Sequence, residues 1–248
     1  MWKILRDRAQ GTSHIELDLP CQDAELAVCR TAGGEEILFA SCADGAGSAS
    51  HSQIGAELAN NELWRIIDKE FTNGLTLNDI TSEHIQEWFH AVRESLEKEA
   101  SSREVAFKSL ACTLLGGIVG ESRSVFFQLG DGGIVVYKDE QYTPVFWPQS
   151  GEYVNETNFI TEDDVDLKIE ILIVEEKIDR VAVFTDGIQP LVLDYGKKLG
   201  HKPFFDKMFN TLISSETDLS AFFNQYLNSA VVNERTNDDK SLIIAARV

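Results

Sequence analysis

The chain has 248 residues, with 22 Lys plus Arg against 41 Asp plus Glu and a formal net charge of −19. A field of that sign repels phosphate backbones and anionic membrane surfaces and attracts cations, so neither nucleic-acid nor membrane partners are expected. The 43% hydrophobic and 25% charged fractions exclude disorder, and with no Pro/Gly/Ser-rich linker residues 1–248 are expected to form one domain.

The four cysteines, Cys21, Cys29, Cys42 and Cys112, show no Cys-x-x-Cys spacing and read as reduced packing residues. Residues 1–8 lack the apolar run of a signal peptide, and no stretch approaches the ~18 apolar residues of a membrane span, so a cytoplasmic protein is expected.

Residues 2–6 read as a first short strand, followed by a polar loop that carries Gly11, His14 and Pro20 to a strand over 24–29. A turn at Gly33-Gly34 returns the chain through the apolar run 37–43 to Asp44-Gly-Ala-Gly. This predicts a hairpin whose rim carries Asp23 and Asp44 together. Apolar residues at helical spacing predict helices over 53–71, capped by Ser50 or Ser52, and from Thr81 or Ser82 to about residue 100. Short strands over 111–119, 124–129 and 134–138 predict an antiparallel meander. Residues 146–161 form a long polar loop with the aromatics Phe146, Trp147 and Tyr153, and read as a flap beside the site. Strands at 168–174 and 180–184, helices over 203–213 and 219–232, and a buried strand at 241–248 complete the chain. Helix pairs between blocks of antiparallel strands imply an α+β fold of packed sheets with helices outside.

One pattern recurs. An apolar strand runs into an acid at Asp44, Asp131 and Asp186, each in an Asp-Gly step, and Asn237-Asp238-Asp239 stands just before the final strand. A single Asp-Gly is more often an ordinary turn than a ligand. Four acids at strand ends, with Asp23 nearby, repel one another unless a cation lies between them. Carboxylates suit Mg²⁺ or Mn²⁺ better than zinc. Two such ions at roughly 3.5–4 Å supply a nucleophilic water at neutral pH, which is phosphate ester chemistry.

The order of motifs Gly11-x-Ser-His14, Gln22-Asp23, Ala43-Asp44-Gly-x-Gly, Thr113-Leu-Leu, Leu129-Gly-Asp131-Gly, Phe184-Thr-Asp186-Gly and Asn237-Asp238-Asp239-Lys-Ser-Leu-Ile resembles the metal-dependent type 2C serine/threonine protein phosphatases. The run Gly151-Glu-Tyr-Val-Asn-Glu-Thr-Asn-Phe is similar to the bacterial branch. The resemblance implies a four-layer α-β-β-α sandwich of two antiparallel sheets, with metals in a cleft at one edge. It implies that Asp44 bridges two Mg²⁺ or Mn²⁺ ions, that the Gly45 carbonyl ligates the second, and that Asp186 and Asp238 complete the first. Asp23 would act through metal-bound water, and Asp131 with Asp186 would hold a possible third ion. A phosphorylated protein substrate and a partner serine/threonine kinase follow from the same resemblance.

Three positions depart from the family pattern. Gln22 replaces an acid, Asp18 stands where many relatives have a phosphate-binding Arg, and Ala46 stands where some have a proton-donating His. His14, in the loop before Asp23, is the catalytic candidate set beside Asp44 and Asp23, with Arg6 and Arg8 as further phosphate-binding candidates. These departures leave two alternatives open: a phosphatase-like regulatory module with impaired catalysis, and a phosphatase of a small phosphorylated metabolite.

Overall fold

The computed structural model describes residues 1–149 and 157–248. The chain opens with β1 (Trp2–Ala9) and a one-turn helix α1 (Thr12–Glu16), then the hairpin β2 (Asp23–Ala32) and β3 (Glu35–Asp44). Two long helices follow, α2 (Ser52–Thr72) and α3 (Ser82–Ser102). Next come β4 (Leu114–Val119), β5 (Ser124–Leu129), β6 (Gly133–Lys138) and β7 (Gln141–Pro144). Helix α4 (Val165–Lys168) precedes β8 (Glu170–Val174) and β9 (Arg180–Phe184). After a turn at Asp186–Ile188 lie α5 (Gln189–Val192), the small pair β10 (Leu193–Asp194) and β11 (Leu199–Gly200), α6 (Lys202–Ser214), α7 (Ser220–Leu227), α8 (Ala230–Asn233) and β12 (Lys240–Arg247).

Two five-stranded antiparallel sheets result, in the orders β1-β12-β9-β6-β7 and β2-β3-β4-β5-β8. Their facing surfaces bury Leu38, Cys42, Leu115, Phe126, Ile134, Val183 and Ile243 in one apolar layer. Helices α2 and α3 cover the outer face of the second sheet with Leu63, Ile67, Trp88, Phe89 and Val92 against Phe39, Ile118 and Phe127. Helices α6 and α7 cover the first with Phe205, Phe209, Phe223 and Leu227 against Phe184, Leu242 and Ile244. This is the expected four-layer sandwich. Each helix presents an apolar stripe at the 3.6-residue period, and the sheet interior gives that stripe somewhere to go.

Several local expectations are corrected. Strand β6 does not continue a meander: β5 pairs with β4 and β8, whereas β6 crosses to the other sheet between β9 and β7. Strands β4 and β5 are buried along both faces, so they lack the polar alternation that identifies a sheet's partner side. The loop before Pro20 contains α1, too short for an apolar period. His51, not a serine, occupies the N-cap of α2, with no side-chain cap bond, while Thr81 caps α3 in a capping box closed by His84. The helical stretch expected over 219–232 breaks at Asn228-Ser229 into α7 and α8. Of the expected flap, residues 150–156 lie outside the described residues.

Candidate metal centre

The hairpin is closed by Gly33 and Gly34, whose φ angles of 60° and 89° meet the left-handed requirement of a two-residue turn. That turn fixes the register of the whole ladder, which at its far end pairs Asp23 directly with Asp44. Cross-strand partners share a face, so both carboxylates project to the same side at the sheet edge. Asp44 is bracketed by Thr113, whose Oγ1 accepts from the Asp44 amide at 2.9 Å and whose own amide donates to the Asp44 carbonyl at 2.8 Å. This explains the Thr113-Leu-Leu motif: it is the clamp that ends β3.

The opposite sheet supplies Asp131, from the β5–β6 crossover, and Asp186, just past β9. One carboxylate oxygen from each of Asp44, Asp131 and Asp186 lies within 4.8 Å of the others. The backbone after Asp186 approaches β12 so closely that a side chain at Gly187 would meet the Asp239 carbonyl at 1.9 Å. Only glycine permits that approach.

Asp23 is 1% exposed. Its Oδ2 accepts a bond from Thr185 Oγ1 at 2.6 Å, and Thr185 Oγ1 in turn accepts from the Ser241 amide at 2.9 Å. Thr185 thus joins an acid of one sheet to the edge of the other. Oδ1 of Asp23 and Oδ1 of Asp131 are buried without a hydrogen-bond partner among the described residues.

Burial and mutual repulsion disturb this group strongly. Burial first, then Asp23 and Asp186, hold the Asp44 carboxyl well above the usual range. Burial raises Asp23 likewise, opposed by the Thr185 bond and reinforced by Asp186, Asp239 and Asp238. Asp186 is pushed up to about 6 by burial and by Asp131 and Asp238, and shares a hydrogen bond with Asp44. Crowded acids that burial and mutual repulsion push toward the protonated form, two of them with an unpartnered oxygen, are the electrostatic mark of a missing positive charge. The donor set is oxygen only, which fits a hard divalent ion such as Mg²⁺ or Mn²⁺.

The remaining expected residues are distributed unequally. Asp238 is exposed and outside the close triad; its Oδ1 accepts from the Asp239 amide at 2.8 Å. It remains near enough to raise Asp131 and Asp186. Asp131, one of the acids expected to share a cation, stands in the triad with Asp44 and Asp186. His14 is not in the triad: its Nδ1 lies 2.6 Å from Asp239 Oδ2. Asp239 also accepts from the Gly11 amide and the Gln22 amide, both at 2.6 Å, and is 2% exposed. Arg6 is bonded to Glu25, and Arg8 to Glu57 and the Asp23 carbonyl, so both phosphate-binding candidates are committed elsewhere. Asp18 is exposed in a left-handed turn at φ 56°, and Ala46 packs with Ala49, Ala111 and Phe159. Cys21, Cys29, Cys42 and Cys112 are all free. Three residues went unread in the sequence. Thr185 and Asp239 stood in quoted motifs beside the more conspicuous acids. Gln189, which donates through Nε2 to the Asp131 carbonyl, carried no signal.

Residues 10–228 match the family model described as protein phosphatase 2C. The chain belongs to that family. It is 37% identical over 250 residues, 98% of each chain, to serine/threonine-protein phosphatase 3 of Escherichia coli (strain K12). Among solved structures it superposes on a bacterial serine phosphatase with TM-score 0.66 at 12% identity, covering 99% of this chain and 98% of that one. It also superposes on the catalytic domain of the serine/threonine protein phosphatase PstP in complex with two manganese ions, with TM-score 0.61 at 12% identity and coverage of 99% and 97%. In this member of the 2C family the acids at the sheet edge are held by two clamps, Thr113 on Asp44 and Thr185 on Asp23.

Proposed function

We propose that the chain is a metal-dependent phosphatase that hydrolyses phosphoserine and phosphothreonine in proteins. The observation that carries this reading is the half-buried triad Asp44, Asp131 and Asp186, an oxygen-only donor set. The 37% identical serine/threonine-protein phosphatase supports the substrate class. Asp44, Asp186 and Asp238 are the residues to hold a first Mg²⁺ or Mn²⁺ ion, Asp44 with the Gly45 carbonyl a second, and Asp131 with Asp186 a third. Asp23 acts through water. When bound, such ions supply charge neutralisation at the phosphoryl oxygens and a nucleophile at neutral pH.

The protein's own contribution is placement. Hairpin register sets Asp23 opposite Asp44, Thr113 ends the strand at Asp44, and Thr185 holds Asp23 across the two sheets. Orientation fixed before substrate arrives costs no reorganisation during reaction. His14 is tied through Nδ1 to Asp239, which leaves Nε2 as the atom able to exchange a proton with a leaving group. Residues 1–248 act as one catalytic unit in this reading. No helix among the described residues is long and apolar enough to cross a membrane. We place the protein in the cytoplasm, opposing a serine/threonine kinase.

The test is hydrolysis of an aryl phosphate, a phosphoserine peptide and a sugar phosphate with and without Mn²⁺. Metal-dependent turnover that favours the peptide over the sugar phosphate is expected. Turnover confined to the sugar phosphate contradicts the substrate class, and none at all in folded protein contradicts the reading.

A further inference from the structure

A cavity of about 660 Å³ opens between α5, the β10–β11 pair, α6, and the α7–α8 region. Its wall is hydrogen-bonded to the backbone that carries Asp131. Tyr195, in its wall, donates from its hydroxyl to Gln189 Oε1 at 2.7 Å, and Gln189 donates in turn to the Asp131 carbonyl. Asp186 lies close enough to reinforce the upward push that burial gives the Tyr195 hydroxyl. A groove joined to the reacting centre in this way is where chain flanking a phosphorylated residue would lie.

Its chemistry selects an occupant. Phe204, Tyr226 and Leu191 form an apolar floor, and the rim exposes Tyr195 at 54% and Val231 at 67%. Large apolar side chains left open around a concavity mark a contact surface. Arg235, exposed three residues before Asp238, lines the same groove and has no carboxylate partner among the described residues. The acid in the wall, Asp194, is already paired with Lys197 at 3.0 Å. In a chain of net charge −19, the groove therefore presents an uncompensated cation beside an aromatic floor, the residue types that concentrate binding energy at interfaces.

We propose that this groove is the docking subsite for the substrate peptide, and that it selects a segment carrying an aliphatic side chain and an acidic one next to the phosphorylated residue. The aliphatic group fills the floor formed by Phe204 and Tyr226, and the acid pairs with Arg235. Arg235 thereby supplies the anion selectivity that Asp18, Arg6 and Arg8 do not, at the flank and not at the phosphoryl group. The inference rests on the phosphatase reading given above.

The experiment compares kcat/KM for two phosphoserine peptides of equal length, one flanked on both sides by Leu and Glu, the other by Ser and Lys. With wild-type protein and Mn²⁺ the acidic, aliphatic peptide is expected to be favoured by about tenfold, chiefly in KM, with the preference shrinking as salt is raised. Arg235→Glu should reverse the order and Arg235→Lys should keep it. Val231→Glu, at a second exposed rim position, should move the preference in the same direction as Arg235→Glu. Melting curves verify that each variant is folded. Unchanged preference in both acidic variants, or no preference in the wild type, overturns the inference while aryl phosphate turnover continues to support the phosphatase reading. Loss of metal-dependent aryl phosphate turnover in the wild type overturns both. A second copy of the chain as occupant would instead give a concentration-dependent dimer abolished by Arg235→Glu, with peptide preference unmoved, and that result also overturns the proposal.

Discussion

Asp23 and Asp44 stand directly opposite one another across the β2–β3 ladder, and the first is held there by a hydroxyl from the other sheet, Thr185 Oγ1 at 2.6 Å. Two carboxylates paired at a buried strand end are unfavourable without a cation, so the contact with Thr185 fixes a geometry that the apo protein would otherwise relax. Thr185→Val should weaken Mn²⁺ binding about 10- to 100-fold and cost on the order of 1–3 kcal/mol through the unsatisfied Asp23 oxygen and Ser241 amide. Thr185→Ser should restore both. Calorimetric metal titration beside denaturant unfolding measures them separately; a Val variant with unaltered affinity would remove Thr185 from the positioning role.

The triad acids should separate activity from stability. Asp44→Ala and Asp186→Ala are expected to lower turnover by at least about 10²-fold, because each removes several kcal/mol of transition-state charge stabilisation. Without metal the same substitutions relieve repulsion among buried acids, so the melting temperature in chelator should be unchanged or higher. A thermal melt showing Asp186→Ala strongly destabilised in chelator would make Asp186 a structural residue of the strand end.

Stability without metal should fall as pH rises. Asp186 is raised from 3.8 to about 6 in the folded protein, and Asp23 and Asp44 are raised well above their ordinary values. Below the unfolded value all are protonated in both states. As pH climbs, the unfolded chain releases its protons first, the native state binds more of them, and stability is lost through about pH 6 and beyond. Between about pH 5 and about pH 7.5 this should cost the chelator-treated protein on the order of 1–3 kcal/mol, and Mn²⁺ should cancel the loss. Melting curves at both pH values, with chelator and with Mn²⁺, report the difference; a metal-free protein more stable at the higher pH would contradict the repulsion.

Asp239 ties His14, Gly11 and Gln22 to the start of β12 through three contacts of 2.6 Å. Asp239→Ala leaves two buried backbone donors without an acceptor and should destabilise by about 2–4 kcal/mol. His14→Ala leaves both bonds intact and should cost about 1 kcal/mol or less. Denaturant midpoints order the two variants. Equal destabilisation would show that the imidazole, not the amide pair, holds the loop.

Much of this was legible from residue order. The Gly33-Gly34 turn and the alternation beyond it specify one register, and register alone brings Asp23 to Asp44. The helix pairs declare themselves through their apolar period, as Ile85, Trp88, Phe89, Val92 and Leu96 show on α3. The crossing of β6 into the other sheet was not legible, because β4 and β5 are apolar on both faces and give no sign of which sheet the next strand joins. Nor was the division of labour between Asp238 and Asp239. Neighbours at a strand start point to opposite sides, and only the fold decides that Asp239 is buried against Gly11 while Asp238 faces solvent. Asp131 was legible as one of the strand-end acids, but the β5–β6 crossover that carries it to the other two was not.

The most direct test of the central claim is phosphate release from a phosphoserine peptide by the purified protein as Mn²⁺ is titrated, run in parallel with Asp44→Asn, which keeps the shape of the triad residue but removes its charge. Saturable, Mn²⁺-dependent release by the wild type, falling at least about 10²-fold in the variant, is the expected result. Equal release by the two proteins, or release by the wild type that persists in chelator, would contradict a metal centre built on Asp44.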